Sequence, residues 1–191
     1  MNSKFITNHF NKTIKTLRNT SKFSSKILKI CKILKYTIQN QKKIYVYGNG
    51  GSFADSSHFV GELTSTFKKK RKPLPFFLLG ANIASLTAWA NDYNFTEYLS
   101  REIDAYCQKN DVLIIFSTSG GDLKKRQSLN LIKAAKNAIL KKTIVIAFLG
   151  KNGGELKKIA NYSIIIKTNS TAIAQENHKV IMHTICDFFE K

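Results

Sequence analysis

Apolar residues at Ile27, Ile30, Leu34 and Ile38 fall three to four positions apart, which predicts an amphipathic helix over about Ser21–Asn40. The stretch before it, Asn2–Asn19, is polar and only weakly periodic, so a second helix there is a fainter expectation. From residue 43 the pattern changes to short apolar runs alternating with helical stretches. The runs read as strands at Lys43–Tyr47, Pro75–Leu79, Val112–Phe116, Thr143–Leu149 and Tyr162–Lys167. Helices are expected at Ser52–Phe67, Ile83–Asn91, Asp122–Leu140, Gly154–Ala160 and Ala174–Glu190. Unbroken runs such as VLIIF and TIVIAFL suit strands covered on both faces, the mark of a parallel sheet between helices. The fold class is therefore α/β: a doubly wound parallel sheet flanked by helices, with an N-terminal helical extension. No linker or repeat interrupts the chain, so residues 1–40 read as an extension of the same domain as residues 41–191.

Length supports this: 191 residues can bury one full core. The charge balance changes the picture more, since Lys+Arg 31 against Asp+Glu 12 gives a net +19. Such a surplus attracts nucleic acid or an anionic surface. Yet the lysines run from Lys4 to Lys191, densest in the KKKRK of Lys68–Lys72, and there is no aromatic RNA-binding segment or zinc-finger spacing. A compositionally biased, evenly spread basic surface is favoured over a nucleic-acid partner. Cys31, Cys107 and Cys186 are odd in number and widely spaced, as reduced buried thiols are. With neither a signal-peptide pattern nor an apolar stretch of the ~18 residues a membrane span needs, a soluble, cytoplasmic protein is expected.

The chemistry concentrates in Gly48–Glu62, read as GNGGSFADSSHFVGE. A buried strand runs into Gly48, Gly50 and Gly51 within four residues, and Ser52 starts a helix. Strand, glycine turn and helix N-terminus bring free backbone N–H groups and a positive helix end together, which suits an anion. His58 and Glu62 are four apart, so a regular helix shows both on one face. A second loop of this kind follows the third strand: Ser117-Thr118-Ser119-Gly120-Gly121-Asp122. Hydroxyls and glycines at a strand end suit a phosphate, while an ordinary turn with Asp122 as helix N-cap is the alternative. In the last helix Gln175 and His183 are eight apart, ~12 Å along the axis and ~80° around it, so they share a site only by leaning together or with help from a partner chain. A lone histidine on such a helix is more often a core or surface residue, and His9 and His178 read that way.

In order along the chain, GNGGSFADSSHFVGELTSTF, RKPLPFFLL, ASLTAWANDY, the STSG loop and the Gln175…His183 pair resemble the bacterial phosphoheptose isomerases of the sugar isomerase (SIS) domain family. The resemblance covers about residue 43 to the C-terminus. It implies a SIS-type doubly wound domain, a homotetramer with active sites between subunits, and conversion of sedoheptulose 7-phosphate to D-glycero-D-manno-heptose 7-phosphate for lipopolysaccharide or capsule. By position it implies metal ligands His58, Glu62, Gln175 and His183, with one zinc or other divalent ion per site. Glu62 and His183 match the acid/base pair. Asn49, Gly50, Gly51, Ser52, Asp92, Ser117, Thr118, Ser119 and Gln175 match substrate-binding positions.

Two departures stand out. The family's phosphate loop usually continues STSGNS, where this chain has Gly120-Gly121-Asp122. Asp122 adds a negative charge near the expected phosphate unless it turns away, with Lys124, Lys125 and Arg126 placed to offset it, and Gly121 is expected to loosen the loop. Ala172 stands where the family tends to have an Asp that contacts a substrate hydroxyl. These changes touch phosphate grip and sugar preference and leave the metal and acid/base positions intact. The competing reading is a non-catalytic SIS-domain binding protein of the replication-initiator-associating type. Such proteins lack the Glu and the C-terminal His, and this chain has both.

Overall fold

A computed structural model describes residues 3–191; the first two positions of the expected N-terminal extension lie outside the described residues. The chain begins with α1 (Lys4–Thr20), a 3-10 turn over Ser21–Phe23 and α2 (Ser24–Gln39). It then alternates: β1 (Ile44–Gly48), α3 (Gly51–Thr64), β2 (Phe76–Leu78), α4 (Ile83–Asp92), α5 (Phe95–Tyr106) and β3 (Val112–Ser117). The second half adds α6 (Leu129–Leu140), β4 (Ile144–Gly150), α7 (Leu156–Ile159), β5 (Tyr162–Ile166) and α8 (Thr171–Phe188). All five expected strands form, within a residue or two of the ends read from the sequence.

The strands pair in parallel in the order β2-β1-β3-β4-β5, with Ile44 beside Phe76 on one side and Val112 on the other. Alternation along each strand sends side chains to two separate cores. Ile44, Val46, Ile114, Phe116, Ile146 and Phe148 pack under α2, α3 and α8 with Leu34, Phe59, Leu63, Met182 and Ile185. Tyr45, Tyr47, Leu113, Ile115, Val145 and Ala147 pack under α5, α6 and α7 with Leu99, Ile103, Leu131 and Ala135. Because the chain leaves β1 toward β2 and returns to β3 on the other side, a crevice opens between the C-terminal ends of β1 and β3. Sheets of this kind bind ligands at that point. Both Gly/Ser loops named above start there.

The structure differs from the sequence pattern in three places. Residues 4–20 form a full helix whose polar character fits its position: it lies on the outside and is tied to α8 by polar bonds. His9 and the Thr13 hydroxyl both bond the Glu176 carboxylate (2.8 and 2.6 Å), and the Thr20 hydroxyl donates to Asn177 (2.6 Å). Helix α5 was not anticipated; Asn94 caps it by accepting from the Thr96 N–H at 2.9 Å. The helix expected over Asp122–Leu140 starts only at Leu129. Arg126 and Ser128 adopt left-handed φ values of 53° and 54°, and Asp122 pairs with Gln127 as an isolated antiparallel bridge, so residues 122–128 make a compact turn instead. No helix among the described residues is long and apolar enough to cross a membrane.

Candidate active site

Helices α3 and α8 run side by side in the same direction, and their facing residues meet at successive stations. At the first, Gln175 lies over the start of α3: a Cβ placed on Gly51 would fall 2.3 Å from Gln175 Nε2, so only glycine leaves room for that side chain as it lies. One turn further, Lys179 Nζ stands 3.7 Å from the Asp55 carboxylate, which is 3% exposed. Burial raises the Asp55 pKa, and Lys179 opposes this. At the third station His183 reaches His58 and Glu62. Ligand-capable atoms of these three residues lie within 4.8 Å of one another. His58 Nε2 is 2.9 Å from Glu62 Oε1, and the two imidazole rings meet edge to face at 5.2 Å.

The surroundings hold these groups in place. Phe67 stacks on the His183 ring at 5.6 Å and 18°. Arg71 donates to the Glu62 and Leu63 carbonyls at 2.6 and 2.8 Å, satisfying the C-terminal end of α3 with a cation where the helix dipole favours one. Glu190 accepts from the Phe67, Lys68 and Lys69 N–H groups and so anchors the basic 68–72 run to the end of α8. That run is therefore used in part as structure. Burial, followed by the nearby His58, lowers the pKa of His183, with Glu62 and Asp187 acting in the opposite sense. A lowered value favours the neutral imidazole, the form that binds a metal. Two imidazoles and a carboxylate make a donor set suited to a catalytic zinc with an open position, and the three side chains already converge. Gln175 does not join them within the subunit; it sits two helical turns away, over the glycine loop.

Of the expected substrate positions, Asn49 to Ser52 and Ser117 to Ser119 lie at the crevice, on the loops after β1 and β3. Asn49 follows β1, and Gly50 turns the chain at φ 56°. Ser52 is buried at the start of α3, its N–H bonded to the Asn49 carbonyl at 3.0 Å. Across the crevice the Ser117 hydroxyl accepts from the Gly120 N–H at 3.0 Å and the Ser119 hydroxyl from the Gly121 N–H at 3.2 Å, which folds the loop around half-buried Thr118. Gly121 does not act as a loose link. It takes a left-handed φ of 79°, its carbonyl accepts from the Glu155 N–H, and a Cβ there would strike Ile132 at 2.8 Å. The Asp122 carboxylate accepts from the Lys125 N–H at 3.0 Å, which together with the neighbouring lysines lowers its pKa, and it borders the same cavity as Ser119. It caps the 122–128 turn and not a helix. Ala172 is exposed in the first turn of α8. Asp92 ends α4, where it accepts from Asn91 at 2.9 Å; α4 buries none of its residues, so Asp92 faces outward in the single chain.

One residue of the crevice escaped the sequence reading. Asn130, 3% exposed at the start of α6, exchanges two amide hydrogen bonds with Asn49: Asn49 Nδ2 donates to Asn130 Oδ1 at 3.0 Å, and Asn130 Nδ2 donates to Asn49 Oδ1 at 2.8 Å. With the helix expected from residue 122, Asn130 fell in its third turn, hidden in the run LNLIKAA. A polar residue within an apolar run was the available signal.

A 2-1-3-4-5 parallel sheet with two Gly/Ser loops at its switch point and a His/Glu/His cluster alongside defines a sugar-phosphate-handling SIS domain, and residues 8–150 match the SIS domain family. A probable phosphoheptose isomerase from Thermoplasma acidophilum is 39% identical over 166 residues, covering 87% of this chain and 88% of that protein. The structure of a phosphoheptose isomerase from Francisella tularensis superposes with a TM-score of 0.92 at 29% identity, covering all of both chains. That of the Neisseria gonorrhoeae enzyme gives 0.89 at 30% identity over 98% of each. The chain belongs to the phosphoheptose isomerase family. The non-catalytic alternative is not favoured.

Proposed function

We propose that this protein is a sugar-phosphate ketose–aldose isomerase that converts sedoheptulose 7-phosphate to D-glycero-D-manno-heptose 7-phosphate. The observation that carries the proposal is the convergence of His58, Glu62 and His183 beside the β1/β3 crevice, in a chain of this family. The reaction moves one proton from C1 to C2 through an enediol while the O1 proton is relocated to O2. That calls for a base at carbon and an acid at oxygen. Glu62 and His183 are the acid/base pair; a carboxylate held tightly on a metal is a poorer base, so Glu62 either leaves the ion during turnover or serves one of the two roles, and His58 pairs with it at 2.9 Å. His58, Glu62 and His183 would hold a divalent ion, zinc by donor type, with Gln175 as a fourth ligand if α8 or a neighbouring subunit brings it nearer. Bound there, the ion would supply Lewis-acid polarisation of the substrate oxygens. Ser117, Thr118 and Ser119 take the phosphate; Asn49, Gly50, Gly51, Ser52, Asp92 and Gln175 hold the sugar.

The same proposal includes a homotetramer with inter-subunit sites. Supporting it, α4 leaves Ile83, Tyr93 and Phe95 at or beyond its ends 59%, 69% and 45% exposed, and α1 leaves Phe5 and Phe10 more than half exposed. Residues 1–40 belong to the one domain, as the buried Thr20–Asn177 bond supports. Three buried free cysteines are consistent with a cytoplasmic enzyme feeding lipopolysaccharide or capsule synthesis. The test is turnover of sedoheptulose 7-phosphate with and without zinc, beside Glu62→Gln and His183→Ala. Wild type should turn over, with both variants reduced by at least about 100-fold and metal content lowered. Equal inactivity of all three proteins would refute the isomerase.

A further inference from the structure

Asn130 is deeply buried, and among the described residues both hydrogen bonds of its side chain go to Asn49. Asn49 itself is half-buried and opens onto the crevice. Such an arrangement is costly to keep for packing alone. Two amides withdrawn from water gain little over an apolar pair of the same shape, whereas removing one partner strands the other. The exchange of two bonds does something an apolar pair cannot. It consumes one N–H and one lone pair of Asn49 and leaves one N–H and one lone pair, both directed away from Asn130. A sugar hydroxyl, which donates and accepts at once, matches that remainder.

The bonds also cross the switch point. Asn49 belongs to the loop after β1, and Asn130 to the first turn of α6, reached only after the 122–128 turn that leaves the phosphate loop. Ser128, left-handed at φ 54°, accepts from the Leu131 and Ile132 N–H groups and so fixes where that first turn stands. We infer that Asn130 is a positioning residue that orients the Asn49 amide toward a sugar hydroxyl and sets its distance from the Ser117–Ser119 loop. The inference rests on the proposed role of Asn49 in holding the sugar.

A double-mutant cycle tests it, with kcat, KM, Tm and calorimetric affinity for sedoheptulose 7-phosphate measured in wild type, Asn49→Ala, Asn130→Ala and the double variant. Each single change should lower kcat/KM about 10- to 30-fold, chiefly through KM, and the double variant should be no worse than either. Asn130→Leu keeps nearly the same shape, buries no charge and offers Asn49 neither bond. It should be as impaired as Asn130→Ala with Tm within a few degrees of wild type, a split that a purely structural role would not produce. Losses that multiply in the double variant, or an Asn130→Ala that lowers only Tm, overturn the inference. Binding is read separately from turnover. An inert wild type with coupled losses of affinity would refute the isomerase and leave the positioning role standing; a wild type that neither binds nor turns over refutes both.

Discussion

Replacing Gly51 with alanine should separate activity from stability. The added methyl would lie 2.3 Å from Gln175 Nε2, 3.0 Å from its Cδ and 3.2 Å from its Oε1, all atoms of one flexible side chain. Gln175 must therefore swing aside by about 1 Å or more. Leaving a preferred rotamer costs roughly 0.5–1.5 kcal/mol. Alanine in place of glycine within a helix returns up to about 1 kcal/mol. The two nearly cancel, so stability should stay within about 1 kcal/mol of wild type, a Tm change of roughly 2–4 °C for a chain of this size. Activity should not be spared, because misplacing a positioning group by about 1 Å can cost on the order of 100-fold. The assay is kcat/KM on sedoheptulose 7-phosphate with Tm by calorimetry in Gly51→Ala, Gln175→Ala and the double variant. Gly51→Ala should be as impaired as Gln175→Ala, and the double no worse than Gln175→Ala. If Gly51→Ala stays within twofold of wild type, or the two losses multiply, the placement of Gln175 has no bearing on turnover and the reasoning fails.

Other substitutions have different signatures. At Gly120 a methyl would meet the Gly153 carbonyl oxygen at 2.1 Å, and φ is 72°, so Gly120→Ala should cost about 2–4 kcal/mol, seen as a Tm lower by roughly 10 °C; an unchanged Tm would refute the close approach of the two loops. Leu34 is fully buried, and Leu34→Ala should cost about 2–5 kcal/mol in urea unfolding with an unchanged slope. His178 is fully buried against Phe116, with neither ring nitrogen in a well-formed hydrogen bond. Burial pulls its pKa down to about 4, the Leu149 backbone opposing slightly. The unfolded chain, near 6.5, then binds the proton first as pH falls, so this contribution is complete above about pH 6.5 and up to ~3 kcal/mol is lost on approaching pH 4. His178→Leu should flatten that limb of stability against pH, and an identical slope in both proteins would refute the assignment.

Much of the fold was legible because a parallel sheet buried on both faces leaves unbroken apolar runs, as β1, β3 and β4 do; the edge strands β2 and β5 are partly exposed and gave shorter or interrupted runs. Helix α5 was missed for a physical reason. Its inner face carries Tyr98 and Glu102 besides Leu99 and Ile103; Glu102 is satisfied by the Gly80 N–H and the Tyr98 hydroxyl, so the apolar stripe is broken by a buried carboxylate. The start of α6 was misplaced because left-handed φ values at Arg126 and Ser128 leave no mark in an apolar pattern. At the site, the four-residue spacing of His58 and Glu62 announced itself, since helical geometry is local. The approach of His183 depends on how α8 lies along α3, and the separation of Gln175 from the cluster follows from the same alignment. Pairing between elements is a tertiary fact, which a resemblance implies but a spacing does not.

The stations along α3 and α8 amount to a ruler. Gly51 with Gln175, Asp55 with Lys179, and His58 with His183 advance together, and Lys68 with Asp187 continues the series past the end of α3. Inserting or deleting one residue inside either helix would turn everything beyond it by about 100° and shift it 1.5 Å. Every later station would lose its partner at once, and the His/Glu/His cluster with it. The segment after α3 shares the constraint, since Phe67, Lys68, Lys69 and Arg71 are all tied to α3, to α8 or to Glu190 just beyond it. Among descendants of this chain, 51–62 and 175–187 should therefore keep a fixed count of residues even where the residues themselves change.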